Sequence, residues 1–170
     1  MEDLMVRDAV LGDVQSITRV AEAGWVSAYQ DVLAETTIEA ALAEWYSPTL
    51  TRERIEDDAV TYLIAEQDDT VVGYASGAAA DNSVVDLGSI YVTPDRWGEG
   101  IGTALLDTFE TRWSTRGYDA VQLLVLADNE VGQSFYRAQG YEAVGERETE
   151  LFGETVRERR YRKELGSGRR

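Results

Sequence analysis

Residues 120–127 read Ala-Val-Gln-Leu-Leu-Val-Leu-Ala, an almost unbroken apolar run between Asp119 and Asp128. Such a run fits a central strand covered on both faces. A strand of that kind needs other elements stacked above and below it, so the chain reads as a layered unit of helices and sheet and not as a bundle.

The rest of the sequence supplies those layers. A first strand is predicted over 5–10. Asp13 then opens a helix with Val14, Ile17 and Ala21 on one face, and Gly24 is its expected break. Trp25 and Tyr29 follow at one-turn spacing. Helical stretches are predicted over 36–45 and, started by Ser47-Pro48, over about 47–58. Strands follow at 60–67 and 71–80, hinged at Asp68-Asp69, and at 84–92. Ile101, Leu105, Phe109 and Trp113 recur every fourth residue and predict one buried face of a helix over 100–116, stopped by Gly117. A short helix capped by Asp128 or Asn129 runs to Gly140. Two last strands, 141–151 and 154–165, turn at Phe152-Gly153. The fold class is α/β of the α+β type: one domain over 1–165 with a mixed, mostly antiparallel sheet of six to seven strands flanked by helices. Residues 166–170 read as a loose tail.

Composition removes whole classes of chemistry. The chain has no cysteine and no histidine. A Ser-His-Asp triad, a thiol nucleophile and a His- or Cys-ligated zinc are therefore excluded. No Asp-rich calcium loop is present, so no metal is expected. Thirty-two acids against sixteen bases leave a net charge of −16, which repels nucleic acid and anionic membranes at long range. No stretch is long and apolar enough for a membrane span, and the acidic start Met1-Glu2-Asp3-Leu4-Met5 is not a signal peptide, so a cytoplasmic location is expected. Lys163 is the only lysine. Acid-rich, lysine-poor composition suggests a halophilic, salt-adapted protein whose self-repulsion is relieved by concentrated salt. Equal stability at low and high salt would remove that idea.

The chemistry-bearing stretch is 86–103, where a strand feeds a glycine-rich loop that opens onto the amphipathic helix. Gly98, Gly100 and Gly102 let the backbone come close to a ligand. The free N–H groups of the first helical turn, aided by the helix dipole, make an anion cradle suited to a pyrophosphate, with Arg96 beside it. A plain strand–turn–helix connection is the simpler reading of the loop alone. A dinucleotide site does not fit, because the glycine spacing is wrong and antiparallel strands precede the loop.

Here the chain resembles a known family. Trp97-Gly98-Glu99-Gly100-Ile101-Gly102 is similar to the Arg/Gln-x-x-Gly-x-Gly/Ala motif of the GCN5-related N-acetyltransferases, the GNAT superfamily, with Trp97 standing where the family has Arg or Gln. Val92-Thr93-Pro94 before the loop also looks like that family. Downstream, Asn129, Tyr136 and Gly140-Tyr141 resemble its second motif: an asparagine, a short helix bearing a tyrosine, and a closing Gly-aromatic pair. The element order fits over nearly the whole chain.

The resemblance implies acetyl-CoA as co-substrate and no metal. Its pyrophosphate would lie on the backbone of Gly98, Glu99, Gly100, Ile101, Gly102 and Thr103. Its pantetheine arm would run beside Ile90, Tyr91 and Val92, with Trp97 and Asn129 also in the binding region. A bulge at Gly88-Ser89 would aim an N–H at the thioester oxygen. The implied reaction is direct attack by a neutral amine, with Tyr136 as acid for the departing thiolate and Asp86 as base; Asp86 reads equally as a surface acid at a strand edge. Trp25, Tyr29 and Trp45 are candidate acceptor-pocket walls, and Glu148 and Glu150 are candidate attractors of a cationic amine. The partner is a small-molecule or peptide amine, and the final hairpin is free to pair across a homodimer. The other readings are a GNAT-fold acyl-CoA-binding or sensory module with little turnover, and a nucleotide-binding regulator.

Overall fold

The computed structural model describes residues 3–166, so all of the expected tail except Gly166 lies outside the described residues. Seven strands form one sheet: β1 (Leu4–Asp8), β2 (Val60–Gln67), β3 (Thr70–Ala79), β4 (Val84–Val92), β5 (Ala120–Leu126), β6 (Glu142–Leu151) and β7 (Glu154–Glu164). Their order is β1-β2-β3-β4-β5-β7-β6. The β4–β5 pair is parallel and the others are antiparallel. Five α-helices accompany them: α1 (Val14–Tyr29), α2 (Glu35–Trp45), α3 (Pro48–Glu56), α4 (Ile101–Thr115) and α5 (Glu130–Ala138). None of the described helices is long and apolar enough to cross a membrane.

Strand periodicity explains the layering. Successive side chains of a strand point to opposite faces. On β2, Tyr62 and Ile64 pack with Ile17, Val20 and Ala21 of α1. Leu63 and Ala65, between and beyond them, pack with Ile101, Leu105 and Phe109 of α4. The every-fourth-residue stripe of α4 is thus one wall of the larger core. Phe135 and Tyr136 of α5 add to the same side.

Local chemistry sets the ends of these elements. Asp68 and Asp69 adopt φ of 53° and 62°, and Phe152 and Gly153 adopt 50° and 87°, as two-residue hairpin turns require. The Ser47 hydroxyl accepts the Leu50 N–H and caps α3. Asp13 does not cap α1 with its side chain; its carboxylate instead accepts the Val10 N–H and pairs with Arg7 at 2.9 Å.

Two sequence expectations are corrected. Gly24 does not break α1, which continues through it. A Cβ there would stand 2.6 Å from the Tyr91 ring, so the glycine lets helix and sheet approach closely. And β5 is not covered on both faces. Leu124, in the middle of the apolar run, is 41% exposed and lines a cavity instead of packing into the core.

Candidate active site

The uncovered side of Leu124 belongs to a cavity of about 700 Å³, a size typical of small-molecule sites. The sheet itself creates it. Parallel strands β4 and β5 pair only through Val84, Val85 and Asp86, against Ala120, Val121 and Gln122. Beyond Asp86 the two strands part, while β5 stays paired with β7 through Leu126. The wedge leaves the β4 backbone from Leu87 to Val92 open on one side. Ile90 and Val92 send their side chains into the α4 core, and Tyr91 packs against the α1 layer, so all three offer main chain to the wedge. An extended ligand laid there meets unpaired backbone donors and acceptors, as an added strand would.

Gly88 marks the inner end of the wedge. Ser76 pairs with Ser89 and Gly77 with Leu87, so Gly88 is the extra residue of a bulge. A bulge frees backbone groups from the ladder. Next to it the Ser89 hydroxyl joins Tyr74 at 2.8 Å and Tyr46 at 3.1 Å in a chain that the sequence did not signal.

The outer end is the glycine-rich loop. Gly98 and Gly100 have φ of 85° and 84°, and a Cβ at either would meet nothing within 4 Å. The left-handed backbone is what demands glycine here. Gly102 serves differently: a Cβ there would press on the Phe135 ring at 3.2 Å. No side chain caps α4, and the Ala104 N–H, bonded to Gly100 O at 3.0 Å, is the first of the helix to find its i−4 acceptor. The N–H groups of Ile101, Gly102 and Thr103 therefore face the cavity mouth as an anion cradle. The Trp97 indole N–H donates to Val92 O at 2.9 Å, pinning the loop to the end of β4, so tryptophan gives this position a structural bond of its own. Arg96 lines the cavity, hydrogen-bonds Gln67 and lies 3.8 Å from Glu99. The Glu99 side chain is turned to Arg96 and does not line the cavity.

α5 forms the remaining wall. Asn129 caps it by accepting the Gly132 N–H at 2.8 Å, and its amide donates to the Tyr29 hydroxyl at 3.2 Å. Gln133, fully buried, donates to Ala127 O at 2.7 Å and accepts from Arg159 and the Tyr161 hydroxyl at 2.7 and 2.9 Å. It fixes α5 to both β5 and β7. One turn on, Tyr136 lines the cavity, and among the described residues its hydroxyl has no hydrogen-bond partner. Burial pushes its phenol above the ordinary range, with Tyr29 and Tyr46 adding to the effect, so it keeps its proton at neutral pH.

Other expected residues stand apart. Asp86 is exposed, does not line the cavity, and accepts from Gln122 at 2.7 Å. Trp25 is buried against Tyr29, Trp45 and Tyr46, beneath the cavity and not in its wall. Trp45 meets Phe152 of the last hairpin. Tyr29 does line the cavity. Glu148 and Glu150 face away from the Trp25 cluster: their neighbours Thr149 and Leu151 share the face of Val156, which packs with Leu151 against that cluster. Among the described residues no group of three or more acids could hold a metal.

The sequence and the overall fold both match known proteins. The sequence profile of the Acetyltransferase (GNAT) family covers residues 25–141. The chain belongs to the GNAT acetyltransferase family. Within it, the sequence is 27% identical to a spermidine N(1)-acetyltransferase of Thermoplasma acidophilum, over 80% of this chain and 86% of that protein. The fold of this GNAT chain superposes on a PaiA N-acetyltransferase of the same organism, solved with coenzyme A, at a TM-score of 0.83 and 24% identity, covering 95% of this chain and 99% of that one. It also superposes on the ribosomal-protein-S18-alanine N-acetyltransferase of Escherichia coli, at 0.74 and 14% identity over 96% and 94% of the two chains. This GNAT chain is an acetyl-CoA-dependent N-acetyltransferase.

Proposed function

We propose that this acetyltransferase moves acetyl to a primary amine by direct attack within a ternary complex, with Tyr136 as the acid. The unpartnered Tyr136 hydroxyl, aimed into the cavity between cradle and bulge, carries the reading. Acetyl-CoA supplies the activated thioester carbonyl. The N–H groups of residues 98–103 hold its diphosphate, and the open edge of β4 holds its arm. The backbone freed at Gly88 donates to the carbonyl oxygen as negative charge develops there. The amine nitrogen bonds to the carbonyl carbon, the C–S bond breaks, and Tyr136 gives the sulfur its proton. The nitrogen's own proton leaves through water to Asp86, two residues before the bulge and on the face of Gln122 and Leu124. A spermidine acetyltransferase among the relatives supports a primary amino group as nucleophile.

Removing the phenol oxygen tests the assignment. Tyr136→Phe is expected to lower kcat by about 10²-fold while the dissociation constant for acetyl-CoA stays within about twofold. Calorimetry together with release of free coenzyme thiol measures both. A weakened affinity with normal turnover contradicts the acid role. In the same assay, Asp86→Asn should lower kcat while acetyl-CoA affinity holds; unchanged turnover takes Asp86 out of the proton path.

A further inference from the structure

Beyond Leu124 the open face of the sheet continues onto β7. Leu124 pairs with Arg160, and Arg160 pairs with Gly145 on β6. Registered neighbours share a face, with Cβ atoms about 5 Å apart. The face is the acceptor's: Leu126, two residues from Leu124, packs with Trp25 and Tyr29, and Gln122, two residues the other way, holds Asp86. Arg160 is therefore one strand from the cavity floor. It is half-buried, and among the described residues no carboxylate pairs with its guanidinium and no group hydrogen-bonds that side chain. Its neighbours on β7 are spoken for: Arg157 and Arg159 by Glu146, and Arg162 by Glu164. Glu158, next on the same face, is taken by Arg147 at 3.1 Å. The space beside Arg160 is open, since a Cβ on Gly145 would meet nothing within 4 Å.

In a chain with thirty-two acids, a half-buried arginine with no acidic partner is a vacancy for an anion. Its guanidinium presents a planar fork suited to a carboxylate. On the opposite side of the Gln122–Leu124 row stands the Asp86 carboxylate. Negative on one side and positive on the other, the face complements a zwitterion.

We propose that Arg160 binds a carboxylate of the acceptor, which is an α-amino acid or short peptide whose amine lies towards Asp86 and the bulge. This rests on the transferase reading above. The product is the N-acetylated acid and the free thiol of the coenzyme. A polyamine, with cations at both ends, would bring positive charge against Arg160.

The test is thiol release with amino acids, the same amino acids as carboxamides, dipeptides and spermidine, on the native protein and on Arg160→Gln and Arg160→Lys, with acetyl-CoA affinity measured in parallel. Carboxylate-bearing acceptors should exceed their carboxamides by about 10- to 100-fold in kcat/KM, the range of a hydrogen bond to a charged group. Free amino acids exceeding dipeptides, or the reverse, identifies which source of carboxylate fits. Arg160→Gln should erase that preference through KM, Arg160→Lys should restore part of it, and neither should alter acetyl-CoA affinity. Equal rates for acids and carboxamides, or spermidine as the best acceptor with Arg160→Gln unchanged, overturn the proposal. Tight acetyl-CoA binding without thiol release from any acceptor overturns the transferase reading, and this assignment with it.

Discussion

Gly100 sits at φ +84° with empty space where a Cβ would go, so a side chain there is opposed by backbone strain and not by crowding. An L-residue in the left-handed region costs about 1–2 kcal/mol. Gly100→Ala should therefore lower stability by about 1 kcal/mol, measured by urea unfolding, and weaken acetyl-CoA about tenfold or more by turning the cradle's N–H groups aside. Unchanged affinity at reduced stability would detach the loop from coenzyme binding. At this scale the sequence was legible where backbone geometry is specified by residue type, as at Gly98, Gly100 and the Asn129 cap. It was opaque where a side chain's partner lies far along the chain. No motif or periodicity in the sequence singles out Gln133, yet it is buried where Arg159 and Tyr161, more than twenty residues away, converge on it. Arg160 gave no signal either, since its meaning lies in an absent partner.

Elements were predicted to within a residue or two wherever periodicity or turn chemistry was strong, as in β2, β4 and α4. Two elements depart from their sequence signal for physical reasons. The apolar run of β5 signalled burial on both faces, but Leu124 is kept apolar beside a cavity, and hydrophobicity does not distinguish a helix from a ligand as the covering. Glycine's conformational cost is visible in sequence and makes Gly24 look like a helix breaker, whereas its missing Cβ matters only because Tyr91 of β4 presses on α1. That contact gives a prediction about how α1 seats on the sheet. Gly24→Ala drives a methyl to 2.6 Å from the Tyr91 ring. Helix propensity favours alanine by about 1 kcal/mol, but overpacking costs about 1–3 kcal/mol. The net expectation is a lower melting temperature, and the loss should shrink when Tyr91→Leu is added. Stabilisation by Gly24→Ala alone would show that α1 seats on the sheet with room to spare.

Across the whole molecule, the sheet order and the parallel pairing of β4 with β5 that opens the wedge emerge only when the chain is folded, and so does the collection of buried phenols. Burial pushes Tyr62, Tyr74, Tyr91 and Tyr136 above the ordinary tyrosine range, and Tyr29 as well. Tyr141 is raised by burial and by the Glu110 carboxylate that accepts its hydroxyl at 2.9 Å. The sign follows from linkage. An unfolded tyrosine releases its proton near pH ~10, whereas these buried ones hold theirs. Above that pH the unfolded chain sheds protons that the native protein keeps, and stability falls. The contribution is fully present below the unfolded value and is lost as pH rises through the folded ones. Each such phenol removes up to about 1.4 kcal/mol per pH unit in that window, and new tyrosinates add to a net charge already at −16. The melting temperature should therefore be nearly flat from pH 7 to about 9.5 and drop steeply above about 10. The rise in tyrosinate absorbance should coincide with loss of the circular-dichroism signal. Adding salt should soften the drop without moving its onset far, because it screens the surface repulsion and not the buried hydroxyls. A gradual tyrosinate titration near pH 10 with the fold intact would mean that these phenols reach solvent in the native protein, and Tyr136 with them.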